Sequence, residues 1–186
     1  MRGRIVIVSG PPGAGKSTIA ERLAVDTPAN LTAHLHSDDF YNYVCKGSVA
    51  PWLAEARPQN IVIMEALIAA AASFACGGYE VIVDGIVGPW FIDPWLAVAR
   101  KHRLDLRYVV LMPSEAATIA RATLRTAPGS LTDPVVVQGL WRRFHTFAPL
   151  AENLVDTTRQ RIEETATAVR DGLTHGRFVL AWDRAA

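Results

Sequence analysis

Residues 10–18 read GPPGAGKST and fit the pattern GxxxxGK[ST], in which a glycine-rich turn joins a strand to a helix. The apolar segment RIVIV precedes this stretch at residues 4–8, and a helical pattern follows it from about residue 15. Glycines let successive backbone N–H groups point into one small volume, where the positive end of the helix also attracts phosphate oxygens. The stretch therefore predicts a nucleoside triphosphate site. Its predicted phosphate-binding residues are Gly10, Pro11, Pro12, Gly13, Ala14, Gly15, Lys16, Ser17 and Thr18.

Two side chains of this stretch are expected to act on the phosphates directly. Lys16 would reach the β- and γ-phosphates as a point charge, and Ser17 would offer its hydroxyl to Mg²⁺. The motif therefore predicts a nucleoside triphosphate with Mg²⁺, and the lack of an NKxD guanine-reading motif in the sequence favours ATP as the nucleotide.

Short apolar segments alternate with helical patterns along the rest of the chain. The segments that read as strands cover residues 4–8, 31–36, 79–83, 107–112 and 153–156. Helical patterns lie near residues 15–25, 59–76, 94–102, 114–125, 134–148 and 158–173. Such alternation is typical of a parallel sheet covered on both faces. We expect one α/β domain over residues 1–186 with a three-layer αβα architecture. It should contain a five-stranded parallel sheet and a small helical lid at about residues 121–140.

Two helix starts carry local signals. Asp133 followed by Pro134 is typical of an N-cap with proline at the first helical position. Thr157 and Gln160 have the spacing of a capping box.

Composition limits the classes of partner. The 186 residues include 19 basic and 18 acidic side chains, so the overall charge favours neither nucleic acid nor an acidic membrane surface. The apolar stretch at residues 61–76 is interrupted by Glu65 and is shorter than the ~20 residues that span a bilayer. Cys45 and Cys76 cannot form a disulfide framework. We expect a cytoplasmic protein with no obligate protein partner.

The stretch HSDDFY, residues 36–41, places two carboxylates where the second strand should end. In a parallel sheet this end lies across a crevice from the phosphate loop, so Asp38 could accept the proton of an acceptor hydroxyl that attacks the γ-phosphate. The alternative is that Ser37, Asp38 or Asp39 caps a helix starting at Phe40. Because successive side chains of a strand point to opposite faces, we expect one carboxylate to face the cleft and the other, Asp39, to cap the following turn.

Asp84 follows the third strand in VIVDG and is a candidate for holding Mg²⁺ or for binding the acceptor. The alternative is an aspartate that caps its own turn. Arg121 and Arg125 lie four residues apart before a loop containing Gly129, and closure of this loop would bring guanidinium groups to the transferred phosphoryl group. The alternative for both is a solvated helix face.

The order and spacing of these segments resemble the small P-loop kinases of low-molecular-weight acceptors. The matching segments are GPPGAGKST, HSDDFY, VIVDG, LMPSEAATIARATLR and LVDTT, within about residues 4–172. The group includes gluconate kinase, chloramphenicol phosphotransferase, the kinase domain of polynucleotide kinase and the nucleoside monophosphate kinases. The resemblance implies that Asp38 is the catalytic base, that Arg121 and Arg125 are lid arginines, and that the loop after LVDT lies near the nucleotide base.

The acceptor should lie between the second and third strands. The candidate contacts there, besides Asp38 and Asp84, are Tyr41, Trp52, Arg57, Asn60 and Trp90. Aromatic side chains could stack on a flat or glycosidic ligand, although core packing is an equally ordinary use for them. The sequence thus predicts an ATP-dependent phosphotransferase acting on a hydroxyl or phosphate of a small molecule. The alternatives are a cytidylate-like nucleoside monophosphate kinase and a P-loop ATPase switch without kinase activity.

Overall fold

The computed structural model describes residues 3–126, 129–146 and 152–180. Five parallel strands form one sheet in the order β2-β3-β1-β4-β5. The strands are β1 (Arg4–Ser9), β2 (Thr32–His36), β3 (Glu80–Asp84), β4 (Asp105–Leu111) and β5 (Leu154–Val155). The helices are α1 (Lys16–Asp26), α2 (Ser37–Asn42), α3 (Arg57–Cys76), α4 (Ile92–His102), α5 (Glu115–Thr123), α6 (Pro134–His145) and α7 (Ile162–Thr174). The predicted three-layer fold is confirmed.

Strand alternation divides the core between the two faces of the sheet. Val6, Val8 and Ile82 pack with α1 and α7 on one face, and Ile5, Ile7 and neighbouring residues pack with α3 and α4 on the other. The central strands are buried on both faces, which explains why they read as continuous apolar runs. The carboxyl ends of β1, β2 and β3 therefore meet at one edge of the domain.

The stretch Ala54–Cys76, which contains α3, is long and apolar enough to cross a membrane by length and composition alone. Its inward side nevertheless packs on the sheet. The buried residues of α3 are Ile63, Met64, Leu67, Ile68, Ala71, Ala72 and Ala75. This packing is that of a core helix.

The two helix starts predicted from local signals have different outcomes. Asp133 caps α6 as expected, since its side chain accepts hydrogen bonds from Val135 N at 2.8 Å and Val136 N at 3.4 Å. The capping box predicted at Thr157 is wrong, because Arg161 is the N-cap of α7. The lid predicted at residues 121–140 comprises the end of α5, a connection and the start of α6. Positions 127–128 of that lid lie outside the described residues, as do positions 147–148 of the helix predicted over residues 134–148.

Candidate functional site

The glycine-rich turn leaves the amino end of α1 open. Gly15, the N-cap of α1, has φ +91°, and Gly13 has φ +77°, both in the left-handed region that favours glycine. A Cβ added at Gly15 would meet no atom of the residues that the structure describes within 4 Å, so these residues leave the space beside the helix start free. A helix start with free space beside its N–H groups suits an anion, and this supports the predicted phosphate site.

Lys16 lies half-buried at this helix start, where its Nζ donates a hydrogen bond to Pro11 O at 3.0 Å. Burial lowers the pKa of Lys16 to about 8, although the carboxylates of Asp38 and Asp84 oppose this shift. The charge of Arg125 adds to the lowering. Three predicted site residues, Asp38, Asp84 and Arg125, therefore lie near enough to Lys16 to act on its charge.

The lowered pKa of Lys16 predicts a pH dependence of nucleotide binding. As the pH rises through about 8, Lys16 in the empty site loses its proton and with it the charge that attracts phosphate. We expect the affinity for a non-hydrolysable ATP analogue to be highest below that pH and to fall above it. Fluorescence titrations from about pH 6.5 to 9.5 would measure this fall. The matched variant Lys16→Arg keeps its charge and should show a flatter profile. An equal slope in both proteins would assign the fall to another group.

Asp84 is fully buried at the end of β3 and accepts hydrogen bonds from three side chains. Ser17 Oγ donates to its Oδ2 at 2.6 Å, and His34 Nε2 contacts its Oδ1 at 2.7 Å. His36 Nδ1 lies 3.0 Å from both carboxylate oxygens. Burial by itself would raise the pKa of Asp84, but these hydrogen bonds outweigh it and hold the pKa well below its usual range. Asp84 is therefore ionised at neutral pH.

The pair formed by Ser17 and Asp84 fits a magnesium site. An ionised carboxylate and a hydroxyl are the hard oxygen ligands that Mg²⁺ prefers, and they lie beside the predicted phosphate site. The hydrogen bonds described for the Asp84 carboxylate all come from side chains. Its turn-capping alternative is therefore not supported.

A close contact between the backbone of Gly85 and the side chain of Ser37 sets the distance between the ends of β2 and β3. Gly85 has φ +151°, and a Cβ added there would lie 1.8 Å from the Oγ of the buried Ser37. The loop that leaves β3 can pass this close to α2 only with glycine at position 85.

Asp38 lies in the first turn of α2, which begins at Ser37 rather than at Phe40. Its side chain is 64% exposed. Ser37 Oγ donates to Asp38 Oδ1 at 3.3 Å, and His36 Nε2 lies 3.6 Å from Asp38 Oδ2. The N-cap of α2 is His36, so the prediction that Asp39 caps this turn is wrong. Asp38 is accessible to an incoming acceptor and lies in the electrostatic field of Lys16.

The two lid arginines have different surroundings. Arg121 Nη2 donates to Thr157 O at 3.1 Å and to Thr158 O at 3.0 Å, so this guanidinium is held by the connection between β5 and α7. Arg125 instead acts on the charge of Lys16. Both arginines therefore lie near the phosphate loop: a Cβ added at Gly13 would lie 3.2 Å from Arg121 Cβ, and the charge of Arg125 acts on Lys16.

A cleft of about 480 Å³ lies between the phosphate loop and the start of α7. Arg121, Thr157 and Gln160 contribute to its wall. The Thr157 hydroxyl is buried and has no hydrogen-bond partner among the described residues, so it is available to a polar ligand. The volume is in the usual range for ligand pockets, and the position matches the expected place of the nucleotide base.

The candidate acceptor residues are only partly brought together. Tyr41 is half-buried, and burial followed by the charge of Asp38 raises its pKa to about 12. Asn60 Nδ2 donates to Pro51 O at 2.8 Å, so its amide stabilises a loop. Trp52 and Arg57 are exposed beside that loop. Tyr41 therefore has the most direct link to Asp38.

Trp90 is half-buried on the loop that follows β3 and packs against α6. The Arg143 guanidinium carbon lies 3.7 Å from the centre of the Trp90 ring. The Phe144 ring centre lies 5.5 Å from that of Trp90. Packing against Phe144 thus accounts for one contact of the Trp90 ring. The guanidinium of Arg143, also on α6, stacks over the same ring.

Sequence reasoning missed the two histidines that contact Asp84. The available signal was HLH at residues 34–36, because side chains two residues apart on a strand share a face. What the sequence did not show is that β2 pairs with β3, the strand that ends in Asp84.

A family model described as an AAA domain matches residues 5–145. No curated protein sequence matches the chain. Solved structures match over nearly its full length. A sugar kinase from Janibacter sp. HTCC2649 aligns with a TM-score of 0.68 and 19% identity, covering 92% of this chain and 95% of that chain. A gluconokinase from Sinorhizobium meliloti 1021 aligns with a TM-score of 0.67 and 21% identity, covering 94% and 93%.

Shikimate kinase from Acinetobacter baumannii, in complex with shikimate, aligns with a TM-score of 0.64 and 16% identity, covering 94% of each chain. At these identities the likeness establishes a shared fold. The resemblance to small P-loop kinases that the sequence indicated is confirmed at that level. Because the family model matches most of the sequence, the chain belongs to the AAA-domain family, and it has the fold of the P-loop kinases.

Proposed function

We propose that the protein is an ATP- and Mg²⁺-dependent kinase that transfers the γ-phosphate to a hydroxyl group of a small molecule. The observation that carries this proposal is the arrangement around Lys16. The Ser17 and Asp84 pair lies on one side of the phosphate site, and the exposed carboxylate of Asp38 lies within the same electrostatic field. An ATPase switch needs the first feature, whereas a kinase also needs the second.

In the proposed reaction each residue has a separate task. The backbone N–H groups of the phosphate loop and Lys16 bind the phosphates. Asp38 accepts the proton of the acceptor hydroxyl as its oxygen attacks the γ-phosphorus and the bond to ADP breaks. Arg125 stabilises the charge of the transferred group. Ser17 and Asp84 would hold Mg²⁺, which neutralises phosphate charge when bound.

The acceptor side favours a polar or anionic small molecule. Tyr41 and Trp90 supply aromatic surface, and the cations Arg57 and Arg143 lie on the elements that surround it. No ion pair is described for either arginine in the three ranges that the structure covers, and the guanidinium of Arg143 stacks over the Trp90 ring, so an anionic acceptor would meet Arg57 as an exposed charge and Arg143 as part of a cation–aromatic pair. We retain a cytoplasmic location, the lack of an obligate protein partner and the lack of a nucleic-acid substrate as parts of this proposal.

The acceptor class can be found by measuring ATP turnover and transfer of labelled γ-phosphate to a panel of compounds. The panel contains hydroxy acids such as gluconate and shikimate, neutral sugars, nucleoside monophosphates, and aminoglycoside- and phenicol-like antibiotics. One class should stimulate ADP release and acquire the label. Stimulation by cytidine monophosphate would favour the nucleoside monophosphate kinase, and slow hydrolysis that ignores every compound would favour the switch.

Replacement of Asp38 tests its role as base. Asp38→Asn keeps the shape of the side chain but cannot accept the proton, so kcat should fall by ~10²-fold or more with little change in ATP affinity. Asp39→Asn is the matched control. Asp39 is exposed in the same helix, so its variant should keep kcat and the melting temperature. Steady-state kinetics with the identified acceptor measures both. If Asp39→Asn loses activity and Asp38→Asn keeps it, the base is assigned to the wrong carboxylate.

A further inference from the structure

A buried backbone carbonyl in the loop after β3 accepts hydrogen bonds from side chains of two other strands. Ser9 Oγ, at the end of β1, donates to Val87 O at 2.8 Å. Tyr108 Oη, on β4, donates to the same oxygen at 2.7 Å. All three residues are 0% exposed. Two donors match the two lone pairs of a carbonyl oxygen, so the Val87 peptide is held from two strands at once.

Both hydroxyls act as donors in these contacts. A carbonyl oxygen carries no proton, so each bond needs the proton of the hydroxyl. Burial raises the pKa of Tyr108 well above its usual range, so its hydroxyl keeps that proton at neutral pH. The attachment of Val87 to the sheet is therefore complete under ordinary assay conditions.

The position of Trp90 depends on the same peptide. The carbonyl of Val87 and the N–H of Gly88 belong to one planar unit, so fixing the oxygen also orients the start of Gly88. A Cβ added at Gly88 would collide with the ring of Trp90, which shows that the ring lies directly on the Gly88 backbone. The two hydroxyls therefore act on the placement of an aromatic side chain that we consider a candidate acceptor contact.

The loop has few other constraints near this peptide. Gly85 and Gly88 lie on either side of Val87 and its neighbour, and glycine makes alternative backbone conformations accessible. Gly85 N donates to Val8 O at the long distance of 3.4 Å. Two shorter bonds to a residue between the glycines select one conformation. Because Ser9 directly precedes Gly10, that conformation is set relative to the phosphate loop.

We propose that Ser9 and Tyr108 are positioning residues for the acceptor: by holding the Val87 carbonyl, they fix the loop that carries Trp90 relative to the phosphate loop. The inference rests on the proposed kinase function. Both side chains are fully buried, so they act through the loop and not on the acceptor itself. Asp84 is held by its own side-chain hydrogen bonds, so the nucleotide side should not depend on them.

Tyr108→Phe and Ser9→Ala each remove one hydroxyl with little change of shape, and Val87 O keeps one donor in each variant. We expect the KM for the acceptor to rise roughly two- to tenfold, the usual effect of one hydrogen bond. The physical reason is that a smaller fraction of the protein has the loop in the binding conformation. The KM for ATP should stay within about twofold of the wild type.

The double variant Ser9→Ala with Tyr108→Phe gives the sharper test, because it leaves the buried carbonyl without either donor. An unsatisfied buried group costs more than the loss of one of two bonds. The rise in the acceptor KM should therefore exceed the product of the two single effects by roughly fivefold or more. Steady-state kinetics with the identified acceptor measures all three variants.

Tyr79→Phe and Ser73→Ala are the matched controls, since they remove the same groups elsewhere. Tyr79 is half-buried beside Phe74, and Ser73 is exposed on α3. Both controls should keep both KM values. The split between the acceptor KM and the ATP KM is the readout that a merely structural role of Ser9 and Tyr108 would not produce.

Two results would overturn the inference. They are an unchanged acceptor KM in both single variants, and equal rises in the KM for the acceptor and for ATP, which would indicate a general loosening of the fold. If the wild type transfers phosphate to no compound, the proposed function fails separately. Hydrogen exchange followed by mass spectrometry then decides whether the two hydroxyls hold the loop. Faster exchange over residues 85–91 in the single variants, with unchanged exchange in β2, supports this, and wild-type exchange over residues 85–91 refutes it.

Discussion

Lys16→Ala should reduce phosphoryl transfer by on the order of 10³-fold or more, because it removes the cation that binds the β- and γ-phosphates. The loss of its charge-assisted hydrogen bonds should also weaken ATP binding at least tenfold, following their usual strength of about 1.5–3 kcal/mol. Its pKa is lowered by burial, so the charge of Lys16 does not stabilise the empty protein, and the melting temperature should not fall.

Single-turnover transfer, nucleotide titration and thermal melts of the same preparation measure these three effects. Lys101→Ala is a suitable control, because Lys101 is an exposed lysine in the last turn of α4. It should match the wild type in every assay. Unchanged ATP affinity and turnover in Lys16→Ala would show that the glycine-rich turn does not bind the phosphates.

Arg125→Ala should lower kcat by ~10³-fold while ATP affinity changes little, by analogy with arginines that stabilise the transferred phosphoryl group. The reason for choosing Arg125 is that its charge acts on Lys16, whereas the guanidinium of Arg121 is bonded to the carbonyls of Thr157 and Thr158. The sequence indicates both arginines as candidates for this task.

Arg121→Ala is the informative comparison on the same helix. Its loss should free the connection between β5 and α7 and enlarge the base cleft, so the KM for ATP should rise more than kcat falls. Steady-state kinetics at saturating acceptor separates the two patterns. If Arg121→Ala mainly lowers kcat and Arg125→Ala mainly raises the KM for ATP, Arg121 is the residue that stabilises the transferred group. The assignment made from the contacts in this structure is then wrong.

The phosphate loop shows which structural features a short stretch of sequence can determine by itself. A turn such as GPPGAGKST specifies its own backbone, because its glycines adopt conformations that other residues avoid and the helix that follows begins at a set residue. The alternation of apolar strands and helices likewise specified the layers, since strands buried on both faces need a continuous apolar run. Both features depend on residues close together in the chain.

The rest of the site depends on which strands become neighbours. Asp84 and His36 are 48 positions apart, and their contact follows from the parallel register of β2 and β3. Arg121 and Thr157 are 36 positions apart and meet because β5 lies beside β4. No pattern within either segment specifies its partner. The choice is made by the packing of the whole sheet.

The sequence alone therefore determined the α/β class, the phosphate loop and the candidate carboxylates Asp38 and Asp84, because each is encoded by residues adjacent in the chain. Only the tertiary structure decided that two histidines surround Asp84 and that Arg125 rather than Arg121 acts on Lys16. It also decided that Asp39 caps no helix. The physical reason is that hydrogen bonds and charges act through space over a few ångströms, and the strand order sets which side chains come within that distance.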